Sequence, residues 1–156
     1  MIIEVKDILN TDDINNIISI VIDRFPLDAR SYWENFPLKH LEYIEPTYYL
    51  AYENDTLLGF AIVRTRAEKR WMVLATKDDI NSVNLGKVLV AEVLKTNEIL
   101  NGWVYNGDNR FNTSGGKYKD PLNYYKSIGC KVLRDTSNSE GDKNVSHITL
   151  NKNDFK

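Results

Sequence analysis

Three strand-like segments follow one another in the middle of this chain, and a helical segment succeeds them. Residues 47–66 alternate in the period-two, β-rich pattern of a hairpin, with a turn at Asn54 and Asp55. Residues 70–76 form a third run of the same type, and a loop then leads to an apolar stretch over residues 83–100. In that stretch the side chains that share one helical face are Leu85, Val88, Leu89, Val93 and Leu94. The sequence therefore predicts a sheet whose third strand leads through a turn into a packed helix.

The segment before these strands is helical after a short first strand at residues 2–7. Thr11 is placed to cap the first helix, and Pro26 stops it. A second, aromatic helical stretch over residues 29–43 is expected to break or kink at Pro37. Two helices are therefore expected to lie between the first strand and the central hairpin.

A short helix near the C-terminal end has clear boundary signals. Asp120 suits its N-cap and Pro121 its first position, where the missing amide hydrogen costs nothing. Gly129 stands where a left-handed C-terminal cap is needed. Further strand-like runs in this part of the chain cover residues 101–107, 130–136 and 145–152.

Composition limits the possible classes of protein. The chain has 156 residues, 42% of them hydrophobic, and we expect a single domain over residues 1–156 without any membrane span. The net charge of −2 gives no general attraction to nucleic acid or anionic membrane. Cys130 is the one cysteine, so no internal disulfide is possible and we expect a cytoplasmic protein. One cysteine and two distant histidines provide no spacing for a zinc site.

The order of these elements resembles that of the GNAT superfamily of acyl-CoA-dependent N-acetyltransferases over nearly the whole chain. Residues 50–64, with Gly59, resemble the family's central hairpin, and residues 71–95 resemble the strand, pyrophosphate loop and helix that bind CoA. NYYKSIGCKV, residues 123–132, resembles the Phe-Tyr-x-x-x-Gly-Phe signature. The resemblance implies an α+β fold with a mixed, mostly antiparallel, twisted sheet of about seven strands and about four flanking helices.

The resemblance also implies acetyl-CoA as acyl donor. A tight turn that opens a helix presents unpaired N–H groups and the positive end of the helix dipole, which suit a pyrophosphate. The family's loop pattern falls on Asn81, Asn84 and Gly86, of which only the glycine is retained, although asparagine tolerates the positive φ of such a turn. Asn81 lacks the charge of the family's arginine, and Lys87, just inside the helix, is either a partial substitute near a phosphate or a surface lysine. The residues assigned to CoA are Leu74, Ala75, Thr76, Asn81, Asn84, Leu85, Gly86 and Lys87.

The mechanism implied by the resemblance is direct attack of an amine on the thioester of acetyl-CoA. Tyr125, at the Tyr of the signature, is the candidate acid that protonates the leaving thiolate, and Tyr124 is expected to face the core. Glu68 is the candidate base, because some histone-acetylating members of the family place a catalytic glutamate there. Other candidate bases are His40, Glu42, Glu45 or a water relay.

The acceptor is expected to be a primary amine, on a small molecule or a protein, and the chain to be a monomer or a homodimer without a metal. The aromatic segment from Tyr32 to Tyr43 and the loop at residues 108–119 would flank the acceptor cleft. Two other functions stay open. One is nucleic-acid modification, suggested by the degenerate phosphate loop and by the basic run at residues 64–70, and the other is a non-catalytic interaction module with a relict pocket.

Overall fold

A computed structural model of the chain describes residues 1–77, 82–105, 121–136 and 145–156. Its strands are β1 Ile2–Lys6, β2 Ile44–Glu53, β3 Thr56–Arg66, β4 Lys69–Thr76, β5 Ile99–Tyr105, β6 Lys131–Thr136 and β7 Val145–Asn151. Its α-helices are α1 Thr11–Arg24, α2 Arg30–Glu34, α3 Phe36–Lys39, α4 Ser82–Leu94 and α5 Leu122–Ser127. The predicted order of strands and helices is confirmed. The predicted loop at residues 108–119 and the predicted cap Asp120 lie outside the described residues.

The seven strands form one sheet in the order β1-β2-β3-β4-β5-β7-β6. All neighbouring pairs are antiparallel except β4 and β5, which are parallel. Asn54 and Asp55, with φ of 49° and 65°, make the two-residue turn that joins β2 to β3 as predicted. A parallel pair needs a crossover connection, and α4 lies in the segment that joins β4 to β5. The mixed, mostly antiparallel sheet expected from the sequence is therefore confirmed.

Both faces of the sheet are covered, and side chains alternate between them along β3. Phe60 and Ile62 pack with α1, α2 and α3 on one face, here called the α1 face. Ala61 and Val63 pack with α4 on the other, here called the α4 face. Burial of each large apolar side chain contributes about 1.5–3 kcal/mol to the free energy of folding. The central strands are thus packed on both of their faces.

The aromatic segment forms two short helices, as the break predicted at Pro37 requires. Asn35 lies between α2 and α3, and Pro37 stands in the first turn of α3, where its missing amide hydrogen costs nothing. Phe36 is fully buried and packs against Trp33, whose ring centroid is 5.1 Å away. Within the described residues, no helix has both the length and the apolar character needed to cross a membrane.

The cap of α1 is Asn10, and the prediction of Thr11 is wrong by one residue. The Asn10 side chain accepts a hydrogen bond from the Asp13 amide at 2.8 Å, and the Asp13 carboxylate accepts one from the Asn10 amide at 3.1 Å. Thr11 is the first residue of the helix, where its hydroxyl cannot make this reciprocal pair. The same carboxylate accepts hydrogen bonds from Lys6 and from the hydroxyl of Tyr52, each at 2.9 Å. Asp13 therefore joins α1 to two strands.

Asp13→Asn is expected to make stability less dependent on pH. Burial raises the pKa of the Asp13 carboxyl, but hydrogen bonds from Lys6, Asn10 and Tyr52 outweigh it and lower that pKa. The carboxylate's contribution is therefore complete above the unfolded value near 4 and is lost as the pH falls through the lower folded value. At pH 7 the variant should lose about 1–3 kcal/mol of unfolding free energy. Urea unfolding between pH 7 and 3 measures the difference in unfolding free energy between wild type and Asp13→Asn, which should shrink as the pH falls.

The neighbouring exposed carboxylate provides the control for this experiment. Asp12→Asn changes the same helical turn without touching these hydrogen bonds and should cost only a few tenths of a kcal/mol. A gap between wild type and Asp13→Asn that stays constant down to pH 3 would contradict the assigned role.

Candidate functional site

The sheet opens between its two parallel strands. Trp71 of β4 pairs with Asn101 of β5, and no further pair between these strands follows among the described residues. Past this point the carboxyl ends of both strands line one cavity of about 630 Å³. Carboxyl ends of parallel strands are where ligands bind in open α/β sheets. The cavity reaches residues of both faces of the sheet, including Trp33 on the α1 face and Tyr124 on the α4 face.

Leu74, Ala75 and Thr76, which the resemblance assigns to CoA, form the wall of this cavity along β4. On their other side they pair with Ala61, Phe60 and Gly59 of β3. The edge of β4 that faces β5 has no strand partner at these residues within the described ranges. Because buried backbone N–H and C=O groups need hydrogen-bond partners, this edge is suited to an extended ligand that carries amides.

The first turns of α4 supply the next wall. Gly86 lines the cavity, and Leu85 is buried against Gly59 of the central hairpin. Asn84 is exposed and lies inside the helix without the positive φ expected for a loop position, so that expectation is wrong. Lys87 is half-buried in the same turn. Asn81 lies outside the described residues.

Helix α5 ends in the cap that the sequence predicts. Gly129 has a φ of 108°, its amide donates to the carbonyl of Lys126 at 3.1 Å, and the amide of Cys130 donates to that of Tyr125 at 3.0 Å. This hydrogen-bond pair is the Schellman motif. The helix itself begins at Leu122, with Pro121 at the N-cap, one residue later than predicted. The cap fixes where α5 stops and so holds its tyrosines beside the cavity.

Both tyrosines of α5 line the cavity, and both pack against the buried cluster of the α4 face. A side chain on Gly86 would overlap the hydroxyl of Tyr124, so this glycine permits the phenol to reach the backbone of α4. Burial, with a smaller effect of Cys130, raises the pKa of Tyr124 to about 12. Burial likewise raises the pKa of Cys130 to about 12. The sequence interpretation places Tyr124 in the core and Tyr125 in the site, whereas in the structure each of them both packs against the core and lines the cavity.

The helical segment on the α1 face forms the opposite end of the cavity. Tyr32, Trp33 and Tyr43 line it, and the hydroxyls of Tyr32 and Tyr43 share a hydrogen bond. Burial, with a further effect of Tyr32, raises the pKa of Tyr43 well above its usual range. The guanidinium of Arg64 lies 4.2 Å from the centre of the Tyr43 ring. His40 is not among the lining residues, and its Nδ1 is 2.9 Å from the carbonyl oxygen of Phe36.

Glu68 is not brought together with Tyr125. It is exposed in the turn between β3 and β4, where Ala67 and Glu68 have φ of 50° and 63°. Its side chain lines a different cavity, at the amino ends of β4 and β5, together with Glu45 and Glu98. The candidate acid and the candidate base therefore lie on different cavities.

Sequence reasoning missed an aromatic cluster on the α1 face, formed by Trp71, Trp103 and His147. The two indoles are stacked, with centroids 5.6 Å apart and planes at 16°, and His147 lies 5.0 Å from Trp71. Trp71 and Trp103 also line the cavity. Their strands are distant in sequence, so only the parallel pairing of β4 and β5 brings them together. The one sign of this cluster in the sequence is that both tryptophans stand at odd-numbered positions of their strands, which places them on the same face of the sheet.

Comparison with known proteins shows the fold. No family model matches the chain, and no curated protein matches it in sequence. Among solved structures, the aminoglycoside 6′-N-acetyltransferase from Enterococcus faecium is 14% identical, with a TM-score of 0.69 over 97% of each chain. PaiA N-acetyltransferase from Thermoplasma acidophilum, solved with coenzyme A, is 18% identical with a TM-score of 0.62, over 97% of this chain and 99% of that one.

The name of a third solved structure gives a protein as the acceptor, where the first gives an aminoglycoside. The ribosomal-protein-S18-alanine N-acetyltransferase from Escherichia coli is 15% identical with a TM-score of 0.59, over 96% of this chain and 94% of that one. These likenesses show that the chain has the fold of the GNAT N-acetyltransferases, which confirms the fold that the sequence resemblance implied.

Proposed function

We propose that this chain, which has the GNAT fold, transfers an acetyl group from acetyl-CoA to a primary amine. The observation that carries the proposal is the opening between β4 and β5, because one cavity there reaches both faces of the sheet. A donor bound beside α4 and α5 and an amine bound beside α2 can then meet at the end of β4. Fold alone does not determine function, so the proposal depends on this arrangement of the site. The solved relatives named above are N-acetyltransferases, which is consistent with it.

The donor would lie along β4 and across the first turns of α4. The edge of β4 at Leu74, Ala75 and Thr76, which has no strand partner in the described part of the chain, would hydrogen-bond the pantetheine amides and polarise the thioester carbonyl. The first backbone amides of α4, with the half-buried Lys87, would face the pyrophosphate. Gly86 lines the cavity and would let the cofactor approach the helix backbone closely.

The reaction would be a direct transfer in which the amine nitrogen bonds to the acetyl carbon and the bond from that carbon to sulfur breaks. The ammonium loses one proton before or during attack, and the leaving thiolate takes one from Tyr125, the acid that we propose. The acetylated nitrogen then gives up its second proton, which restores the Tyr125 phenol and leaves a neutral amide. Cys130 is the one cysteine of the chain and lines the cavity. Because burial raises its pKa to about 12, the thiol stays protonated at neutral pH and is a poor nucleophile. This favours direct attack over an acetyl-cysteine intermediate.

Glu68 is not part of the proposed mechanism, because it lines the other cavity. Proton removal from the amine is left to water at the mouth of the cleft. The alternative of nucleic-acid modification gains no specific support. In the basic run at residues 64–70, Arg64 packs on Tyr43 and Arg70 donates to Asn97 and to the carbonyl of Glu45. One of its cations, Arg70, is thus held by hydrogen bonds within the protein.

Acetyl-CoA is expected to stabilise the protein against heat. At 100 times its dissociation constant, a ligand that binds only the folded state adds about 2.7 kcal/mol, which for this size of chain raises Tm by about 5–10 °C. Differential scanning fluorimetry with acetyl-CoA, CoA and ATP measures the shift, and ATP should produce little of it.

A pair of variants on α4 locates the binding site. Gly86→Ala should reduce the shift, because the new methyl group overlaps the Tyr124 hydroxyl in the cavity. Val88→Ala, on the exposed side of the same helix, should leave the shift unchanged. No stabilisation at millimolar acetyl-CoA would exclude the proposed function.

A further inference from the structure

The acceptor end of the cavity is positively charged. Three arginines line it, namely Arg24, Arg64 and Arg66, and no aspartate or glutamate is found among the described residues of its wall. The second cavity differs in this respect, since Asp7, Glu45, Glu68 and Glu98 line it together with its cations. Among the described residues, the charged side chains that line the cleft between β4 and β5 are thus all positive, whereas the second cavity is lined by charges of both signs.

Two of these guanidinium groups lack an acidic partner in the described part of the chain. Arg64 is half-buried and lies over the ring of Tyr43, and Arg66 is exposed at the end of β3. In contrast, Arg30 pairs with Glu34 at 2.7 Å. A guanidinium that lines a cavity without a carboxylate is suited to bind an anionic group of a ligand through two parallel hydrogen bonds.

An aromatic wall lies directly beside these cations. Arg64 of β3 is the register partner of Trp71 on β4, so the two side chains are neighbours on the α1 face. The indole N–H of Trp71 donates to the carbonyl of Arg66 at 3.1 Å, which fixes the ring. Trp103, stacked on Trp71 and 37% exposed, extends this surface along β5. An aromatic group of a ligand can pack here while its anion reaches Arg64.

We propose that the acceptor is a primary amine that carries both an aromatic ring and an anionic group, either a carboxylate or a phosphate. This inference names the substrate class of the proposed transferase and rests on that function for the acyl donor. The anion pairs with Arg64 and Arg66, the ring packs on Trp71 and Trp103, and the amine is thereby directed to the end of β4. A polycationic acceptor would meet like charge at the same wall.

Matched pairs of amines test the ligand class without requiring turnover. L-Phenylalanine and phenethylamine differ only in a carboxylate, and O-phosphotyramine and tyramine differ only in a phosphate. Isothermal titration calorimetry should find the anionic member of at least one pair bound about tenfold or more tightly, because charged hydrogen bonds favour it. The pair that shows the larger ratio identifies the anion. Kanamycin, a polycation, should bind more weakly than either anionic ligand.

Variants then assign the effect to the proposed wall. Arg64→Gln should remove most of the preference, and Arg66→Gln, which is exposed and carries little risk for folding, should reduce it. Trp103→Leu should reduce the affinity for L-phenylalanine more than that for L-alanine. Arg30→Gln removes a guanidinium that pairs with Glu34 and is not among the residues that line the cavity, so it should change none of these values. A preference that survives both substitutions, Arg64→Gln and Arg66→Gln, would overturn the assignment.

The outcomes separate this inference from the proposed function. Anion-dependent binding without heat stabilisation by acetyl-CoA would remove the transferase and leave the ligand class intact. Stabilisation by acetyl-CoA together with equal affinities within both pairs, or with tighter binding of kanamycin, would overturn the ligand class and leave the transferase intact.

Discussion

Tyr125→Phe is expected to lower kcat by about 10²-fold or more, with little change in affinity for acetyl-CoA. The substitution removes one hydroxyl from the cavity and keeps the ring that packs against the buried cluster of the α4 face. If that hydroxyl protonates the departing thiolate, its loss affects the chemical step and not the binding of the donor. Release of free CoA with a saturating amine gives kcat, and calorimetry gives the affinity for acetyl-CoA.

Tyr124→Phe is the matched control, because both tyrosines line the same cavity from the same helix. The hydroxyl of Tyr124 is directed at Gly86, and its pKa is raised to about 12 mainly by burial, so it is a poorer acid than an ordinary phenol. Its removal should therefore change kcat by less than about tenfold. A large loss in Tyr124→Phe with normal turnover in Tyr125→Phe would transfer the role of acid to Tyr124.

The fold was largely predictable because its signals are local. The turn at Asn54 and Asp55 needs residues that tolerate positive φ, and the cap at Gly129 needs a left-handed residue, so each is visible in a short stretch of sequence. The cap of α1 was placed one residue late. Thr11 and Asn10 are both common caps, and only the reciprocal bond with Asp13 decides between them.

The site was less predictable because its parts meet through the sheet. Leu74, Ala75 and Thr76 could be assigned from one strand, and they do line the cleft. The position of Glu68 depends on the turn that reverses the chain between β3 and β4, which directs it to the other cavity. The stacking of Trp71 on Trp103 depends on which strands are neighbours, since residues 32 apart in sequence become adjacent only through the pairing of β4 with β5.

Gly129→Ala is expected to lower the unfolding free energy by about 2–5 kcal/mol. The residue has a φ of 108°, which strains any side chain, and its new methyl group would overlap the carbonyl oxygen of Asp154. The C-terminal segment cannot easily yield, because the amide of Lys156 donates to the carbonyl of Ile128 at 3.0 Å. Urea unfolding with an unchanged m-value would measure the loss as a shift of the midpoint.

Gly102→Ala distinguishes this effect from the general effect of placing a methyl group on a glycine. Gly102 lies within β5, where a new methyl group would be 3.4 Å from the carbonyl oxygen of Met72 and 3.5 Å from Ile148, so we expect a change of about 1 kcal/mol or less. Equal losses in the two variants would contradict the role given to Gly129. The comparison also concerns the site, because Gly129 ends the helix that carries Tyr124 and Tyr125. If Gly129→Ala folds at low temperature, its turnover should therefore fall on warming at a lower temperature than that at which the sheet unfolds.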